Sequence, residues 1–302
     1  MIFTNGVTGS LGRYLLQYLE IQQLPHEIIQ TRLENAALLS QELKLKSLSV
    51  DAHSVVLVHL AALVPVVQCE QHPELAHNTN VVWTTEYVRG FVEWAHTTGK
   101  KVKVLYVSSG HVYAKPKAEE KAKEGHDLLP RSVYATTKLE AEQSLQYLAT
   151  QMGFQLIIPR VFGLLAPRQP PFYALQGLLR RAHQKKFATV PGLHSVRDYL
   201  DARDVSRILI QLSETDFSGV VNVCSAEGCT ISFLLETIVQ TLYPLEAKSM
   251  IESFQAAPER PDGTPYLVGD NYLLTKKLNR VARTISYRTT IDEATRLYGN
   301  AT

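Results

Sequence analysis

Met1-Ile2-Phe3-Thr4-Asn5-Gly6-Val7-Thr8-Gly9-Ser10-Leu11-Gly12 opens the chain and decides how the rest is read. A strand-like run at 1–4 meets a G-x-x-G-x-x-G turn, and Leu15, Leu16 and Leu19 follow at helical spacing. Gly6, Gly9 and Gly12 let the chain turn tightly, so that backbone N–H groups around Ser10 and Leu11, at a helix N-terminus, can face a pyrophosphate. Three glycines can also be no more than a turn. Their place at the head of a βαβ pattern is what points to a dinucleotide.

Outward from this loop, strand-like runs at 27–31, 55–62, 102–109, 154–161 and 220–225 alternate with helical patterns. That order predicts an α/β fold, a Rossmann-type doubly wound parallel sheet covered by helices on both faces. In 81–97, Val81, Thr84, Val88, Phe91, Val92 and Ala95 recur at helical spacing and predict a crossover helix. Past Arg160, Pro167, Pro170, Pro171 and Pro191 break the chain around a helical pattern at 175–183. A return to the sheet near Val220, then a helical run at 231–242, predicts a smaller interleaved α/β substrate domain. The expected division is 1–160 with about 192–225 for the dinucleotide-binding domain, and about 161–191 with 226–302 for the substrate domain.

The 302 residues are 45% hydrophobic and 20% charged, ordinary for a folded globular chain. A net charge of +2, with scattered basic residues, gives no footprint for nucleic acid. No apolar run reaches the roughly eighteen residues of a membrane span, and Met1 leads straight into Ile2-Phe3, so a cytoplasmic location is expected. Cys69, Cys224 and Cys229 are odd in number and lack zinc-site spacing. There is no HExxH, and His72 and His77 stand five apart, so no metal site is expected.

Twenty residues after Gly12, where an acid would bond a free ribose 2′-hydroxyl, the chain has Thr31-Arg32. A guanidinium there suits a 2′-phosphate, which favours NADP(H), with NAD(H) as the alternative coenzyme. Further along, Ser108-Ser109 ends a central strand, and Tyr134 and Lys138 are spaced one helical turn apart. An ammonium beside a phenol is expected to lower its pKa toward useful acid–base chemistry. Tyr272 and Lys276 repeat the interval with no glycine loop or serine strand around them, and are read as a decoy.

Taken in order, Gly6 to Gly12, Val58-His59-Leu60-Ala61-Ala62, Asn80-Val81, Ser108-Ser109 with Val112-Tyr113, and Tyr134 to Lys138 resemble the extended short-chain dehydrogenase/reductases over nearly the whole chain. The resemblance implies a catalytic serine at Ser109, an acid/base tyrosine at Tyr134, and a lysine at Lys138 that holds the nicotinamide ribose. It further implies that His59, Leu60, Ala61, Ala62 and Ser108 line the cofactor and that Asn80 anchors backbone near the site. It also implies a homodimer through helices at 81–97 and 132–150, for which Trp83, Tyr87, Trp94, Leu145 and Leu148 are candidate contacts, with packing of some of them against the sheet as the alternative.

A closer likeness lies in Arg160-Val161-Phe162, Pro167-Arg168-Gln169, the run from Val196 to Val205, Val221 to Ser225, and Arg260-Pro261-Asp262 with Leu267 to Asp270. These resemble the GDP-4-keto-6-deoxymannose reductases and imply a nucleotide-sugar substrate. On that resemblance Arg160, Arg197 and Arg260 are substrate-binding, the last two near the nucleotide or its diphosphate; surface pairing of Arg197 with Asp198 and Arg260 with Asp262 is the bland alternative. Gly110 replaces the acid of sugar dehydratases, and Gly163 an expected asparagine. Ala114 and Ala166 stand in for common glycines. His111 and Tyr173 stand where epimerising relatives carry cysteine and histidine, with His111 as a candidate substrate contact. The expectation is an NADP(H)-dependent reductase of a 4-keto-6-deoxy sugar. Epimerisation with bound NAD(P) and a non-catalytic nicotinamide sensor are the alternatives.

Overall fold

The computed structural model describes residues 1–47, 52–114, 120–258, 265–279 and 282–299. β1 (Ile2–Thr4), β2 (His26–Ile28), β3 (Ser54–His59), β4 (Lys101–Tyr106), β5 (Ser108–Ser109), β6 (Gln155–Val161) and, after two strands of another sheet, β9 (Gly219–Val223) form a seven-stranded parallel sheet. Its order is β2-β1-β3-β4-β6, with β9 also on β6. β4 and β5 hold one register against β6, Lys103 opposite Gln155 and Ser108 opposite Arg160, so they are one line of chain broken at Val107.

Parallel strands covered on both faces must be apolar on both. Adjacent residues accordingly divide between two cores. Leu57, Val104 and Leu156 face α2 (Ala36–Ser47), α5 (Thr84–Thr97) and α6 (Val133–Met152). Val58, Leu105 and Ile157 face α1 (Ser10–Ile21), α8 (Ala202–Ser213) and α11 (Tyr272–Leu278). From β1 the chain steps outward to β2, then returns to place β3 on the other side of β1. The order reverses there, which opens a crevice beyond the carboxyl ends of β1 and β3.

The second sheet joins β7 (Gly163–Leu165), β8 (Val196–Asp201), β10 (Gly228–Thr230) and β11 (Tyr266–Leu267), with β10 antiparallel to β8. It packs with α7 (Ala174–His183), α9 (Ile231–Leu242), α10 (Ala247–Glu252) and α12 (Tyr287–Gly299) around Leu175, Leu179, Leu234 and Ile238.

Three expectations change. Val196–Asp201, expected with the dinucleotide-binding part, pairs in the smaller sheet, and the chain rejoins the larger one only through α8 and β9. The helix expected at 81–97 begins as a π-helical stretch, Asn78–Trp83, that runs on from α3 (Val66–Gln71) and α4 (Pro73–His77) into α5. Tyr87, Trp94, Leu145 and Leu148, expected at a dimer surface, are buried in the core under the sheet. Among the described residues no helix is long and apolar enough to cross a membrane.

Candidate active site

The glycine loop leaves β1 at Asn5. Gly6 has φ +68°, and a Cβ on it would lie 2.6 Å from the Ala61 amide nitrogen, so the loops after β1 and β3 touch through backbone. A Cβ on Gly12 would fall 2.2 Å from the Gly6 carbonyl oxygen, which fixes how closely α1 approaches the turn. Gly9 is the N-cap of α1, and no side chain caps that end. Its first N–H groups therefore stay directed out of the loop. The Ser10 hydroxyl is buried beside the Tyr173 phenol. An uncapped helix start and a cradle that a Cβ would fill both fit a dinucleotide pyrophosphate.

Asn5 braces the two loops. Its Oδ1 accepts from the Leu60 and Ala61 N–H groups at 3.0 and 3.2 Å, and its Nδ2 lies 3.0 Å from His59 Nδ1. Burial, then the Lys138 charge, push the His59 imidazole down to about 3, so the ring is neutral. Nδ1 can then accept from Asn5 while Nε2 faces Thr84 Oγ1 at 3.3 Å. His59 thus packs behind the cofactor loop and does not line it. Asn80 accepts from Leu63 N at 2.7 Å and donates to Thr137 Oγ1 at 3.0 Å, tying the β3 loop to α6.

At the end of β2, the Glu42 carboxylate on α2 accepts from Gln30 N, Thr31 N and the Thr31 hydroxyl, the last at 2.6 Å. The Thr31 side chain is therefore committed to Glu42. Arg32 is 80% exposed, and its contact among the described residues is with Glu34 at 3.7 Å.

Ser109 ends β5, and its hydroxyl accepts from His111 N at 3.2 Å. Ser132 caps α6 through Ala135 N, and the helix carries Tyr134 and Lys138 one turn apart toward Ser109. Burial raises the Tyr134 pKa above that of a free phenol, with the Ser109 hydroxyl working against the rise. This corrects the expectation of a phenol lowered by Lys138. The reason is placement: Lys138 Nζ donates to the Val107 carbonyl at 2.7 Å and sits 4.5 Å from the centre of the Tyr106 ring. Burial brings the ammonium down to about 8, against the opposing pull of the Glu142 charge.

Glu142, one turn beyond Lys138 and buried, gathers two residues that had been given other roles. It accepts from the Ser108 hydroxyl and from Arg160 Nε at 3.0 Å and Nη2 at 2.6 Å. The Arg160 guanidinium also lies 4.8 Å from the Tyr113 ring centre. Ser108 and Arg160 are therefore internal supports, corrected from cofactor and substrate contacts respectively.

Beside Ser109 and Tyr134 opens a cleft lined by His111, Arg131, Ser132 and Arg197, with Val66, Tyr113 and Leu267 as its apolar part. His111 lines the cleft, and enclosure by its walls followed by the Arg197 charge lowers its pKa. Arg197 does not pair with Asp198, whose carboxylate takes Ser225 N, Ser225 Oγ, Ala226 N and Gly269 N. Arg260 lies outside the described residues. Tyr272 is 70% exposed on α11, and neither it nor Lys276 lines this cleft.

The departures at 110 and 163 have packing reasons. A Cβ on Gly110 would lie 2.8 Å from the Phe162 ring, and one on Gly163 would lie 2.4 Å from Tyr199. Asn5, Glu42, Arg131 and Glu142 were not singled out in the sequence; each is a lone polar residue without a spacing signal.

Residues 2–224 match the family described as the NAD dependent epimerase/dehydratase family. The chain is 28% identical over 248 residues, 78% of each chain, to the GDP-6-deoxy-D-mannose reductase of Pseudomonas aeruginosa. Its fold is similar to the structure of RMD from Pseudomonas aeruginosa complexed with NADPH, at a TM-score of 0.83 and 20% identity over 100% of this chain and 99% of that one. It is similar also to the UDP-glucose 4-epimerase of Thermus thermophilus in complex with NAD, at 0.82 and 18%, again over 100% and 99%. The match at 2–224 takes in the whole of the large sheet with its glycine loop, and it is to this enzyme family, the NAD-dependent epimerases and dehydratases, that the chain belongs.

Proposed function

We propose that the protein is an NADP(H)-dependent reductase of a nucleotide-linked 4-keto-6-deoxy sugar, with GDP as the nucleotide. The observation that carries this is the meeting of Ser109, Tyr134 and Lys138 beyond the carboxyl end of the sheet, next to a cleft that presents Arg197 without a carboxylate partner among the described residues. A bound reduced nicotinamide would supply the hydride to C4. Tyr134, protonated at neutral pH because burial holds its pKa up, donates its proton to the C4 oxygen. Ser109 donates a hydrogen bond to the same oxygen as negative charge grows there. Lys138, fixed by the Val107 carbonyl, is within α6 to take the nicotinamide ribose hydroxyls. The product alcohol gains one hydrogen at carbon and one at oxygen, and solvent restores the tyrosine proton.

Support for reduction without epimerisation comes from His111 and Tyr173. Epimerisation beside the ketone needs a base and an acid on opposite faces of the ring. Burial raises Tyr173, as it does Tyr134, and His111 is left weakly basic. Arg32 supports NADP(H) because it is exposed and loosely held, free to meet a 2′-phosphate. The assembly proposed is a homodimer through α5 and α6, on which Tyr147 is 69% exposed; light scattering reports it. The activity test is NADPH oxidation with GDP-4-keto-6-deoxymannose as substrate, with UDP-glucose as the control. Turnover of the keto sugar supports the reading, and interconversion of UDP-hexoses without net NADPH loss contradicts it.

A further inference from the structure

Among the described residues, those lining the cleft beside the reacting groups include two guanidinium groups and no carboxylate. Arg131 directly precedes the N-cap of α6, three residues before Tyr134, and lines the cleft together with Arg197 of β8. Arg131 is exposed and has no hydrogen bond or ion pair among the described residues. Arg197 is half-buried, and among the described residues its one hydrogen bond runs from Nη1 to its own neighbour, the Val196 carbonyl, at 2.8 Å. Asp198, next to Arg197 in the chain, is taken up by the 225–226 turn and Gly269, and Glu70 accepts from the Val133 N–H. Burial, opposed in part by Tyr199, weakens the hold of Arg197 on its proton. Two permanently charged groups in one cleft raise its potential, and forked guanidinium donors match the oxygens of phosphate or carboxylate.

We propose that Arg131 is a substrate-positioning residue which, with Arg197, pairs with anionic oxygens of the substrate close to the reacting sugar carbon. This rests on the nucleotide-sugar reading above and adds to it a charge requirement. Those oxygens belong either to the diphosphate that links nucleoside and sugar or to a carboxylate on the sugar itself. Arg131 reaches the site from the same short segment that carries Tyr134, so an anion held there fixes the sugar relative to the proton donor.

Calorimetric binding to Arg131→Gln, Arg131→Lys and Arg197→Gln tests this without turnover, using guanosine, GDP and GDP-linked mannuronate as probes. Arg131→Gln is expected to lose about tenfold to a hundredfold in affinity for GDP, as for one charge-assisted contact, with guanosine unaffected; this assigns the diphosphate. A loss confined to the mannuronate conjugate supports the proposal with the sugar carboxylate as the source. Arg131→Lys should recover part of either loss. In steady state, Arg131→Gln should raise KM several-fold more than it lowers kcat. If Arg197→Gln weakens GDP binding and Arg131→Gln matches wild type for every probe, the Arg131 proposal is overturned and the site reading survives. If neither substitution changes any affinity, both fall.

Discussion

Replacing Glu142 by glutamine perturbs the point where the catalytic helix is joined to the sheet. In the wild type one carboxylate serves three donors, the Ser108 hydroxyl and two nitrogens of Arg160, all buried. A glutamine at 142 keeps one acceptor oxygen and turns an NH2 group toward the Arg160 Nη2 that now sits 2.6 Å from oxygen. The guanidinium is left buried without a counter-charge, a situation that costs about 3–5 kcal/mol. The Tyr113 ring face remains 4.8 Å away and offsets part of this, as such contacts contribute about 0.5–2 kcal/mol. A net loss of about 3 kcal/mol is expected, a fall in Tm of roughly 6–12 °C for a chain of this size. Urea unfolding and thermal melting measure it. Glu142→Leu combined with Arg160→Met, which removes both charges, should be more stable than either single change. The same substitution has a second readout. The Glu142 charge holds the Lys138 pKa up, so its removal lowers that pKa below about 8. If the ammonium form binds coenzyme, affinity is full below the pKa of the free enzyme and weakens above it, and the weakening in Glu142→Gln begins at a lower pH. Wild-type stability in Glu142→Gln, or an alkaline limit that moves upward, refutes this reasoning.

Tyr134→Phe should lower kcat by about 10²–10⁴-fold while the dissociation constant for NADPH, read by fluorescence titration, stays near wild type; exposed Tyr272→Phe should change neither. Arg32→Ala should weaken NADPH binding by about tenfold to a hundredfold and NADH binding much less, and equal effects on both would remove the 2′-phosphate assignment. Gly6→Ala places a Cβ at positive φ against the Ala61 nitrogen, so the loops after β1 and β3 must separate; coenzyme affinity should fall well before the fold melts, as titration and circular dichroism on one sample would report.

Local and periodic signals carried most of the fold. Gly6, Gly9 and Gly12 between an apolar run and a helical pattern located the crevice, and the alternation of strand-like and helical runs marked a parallel sheet covered on both faces. Non-local pairing was not legible. Val196–Asp201 falls within the 192–225 stretch assigned to the dinucleotide-binding part, and only its partners at 163–165, 228–230 and 266–267 place it in the smaller sheet. The site divides in the same way. The interval from Tyr134 to Lys138 follows from helical geometry, whereas the destination of a charge depends on its partner. Arg160 was assigned to the substrate by resemblance, and its partner Glu142, eighteen residues away, has no spacing that links it to a strand end. For the same reason the Tyr134 environment was misjudged: the backbone carbonyl of Val107 holds Lys138, and no sequence pattern reports a carbonyl's direction.

The most direct test of the central claim is the product formed in deuterated water from GDP-4-keto-6-deoxymannose and NADPH, examined by NMR. Reduction by Tyr134 and Ser109 alone predicts one hydride delivered to C4, with the protons at C3 and C5 retained at the level of a control without enzyme. Deuterium at C3 or C5 above that control would mean that the His111 and Tyr173 side chains, or others in the cleft, move carbon-bound protons, and would contradict the account.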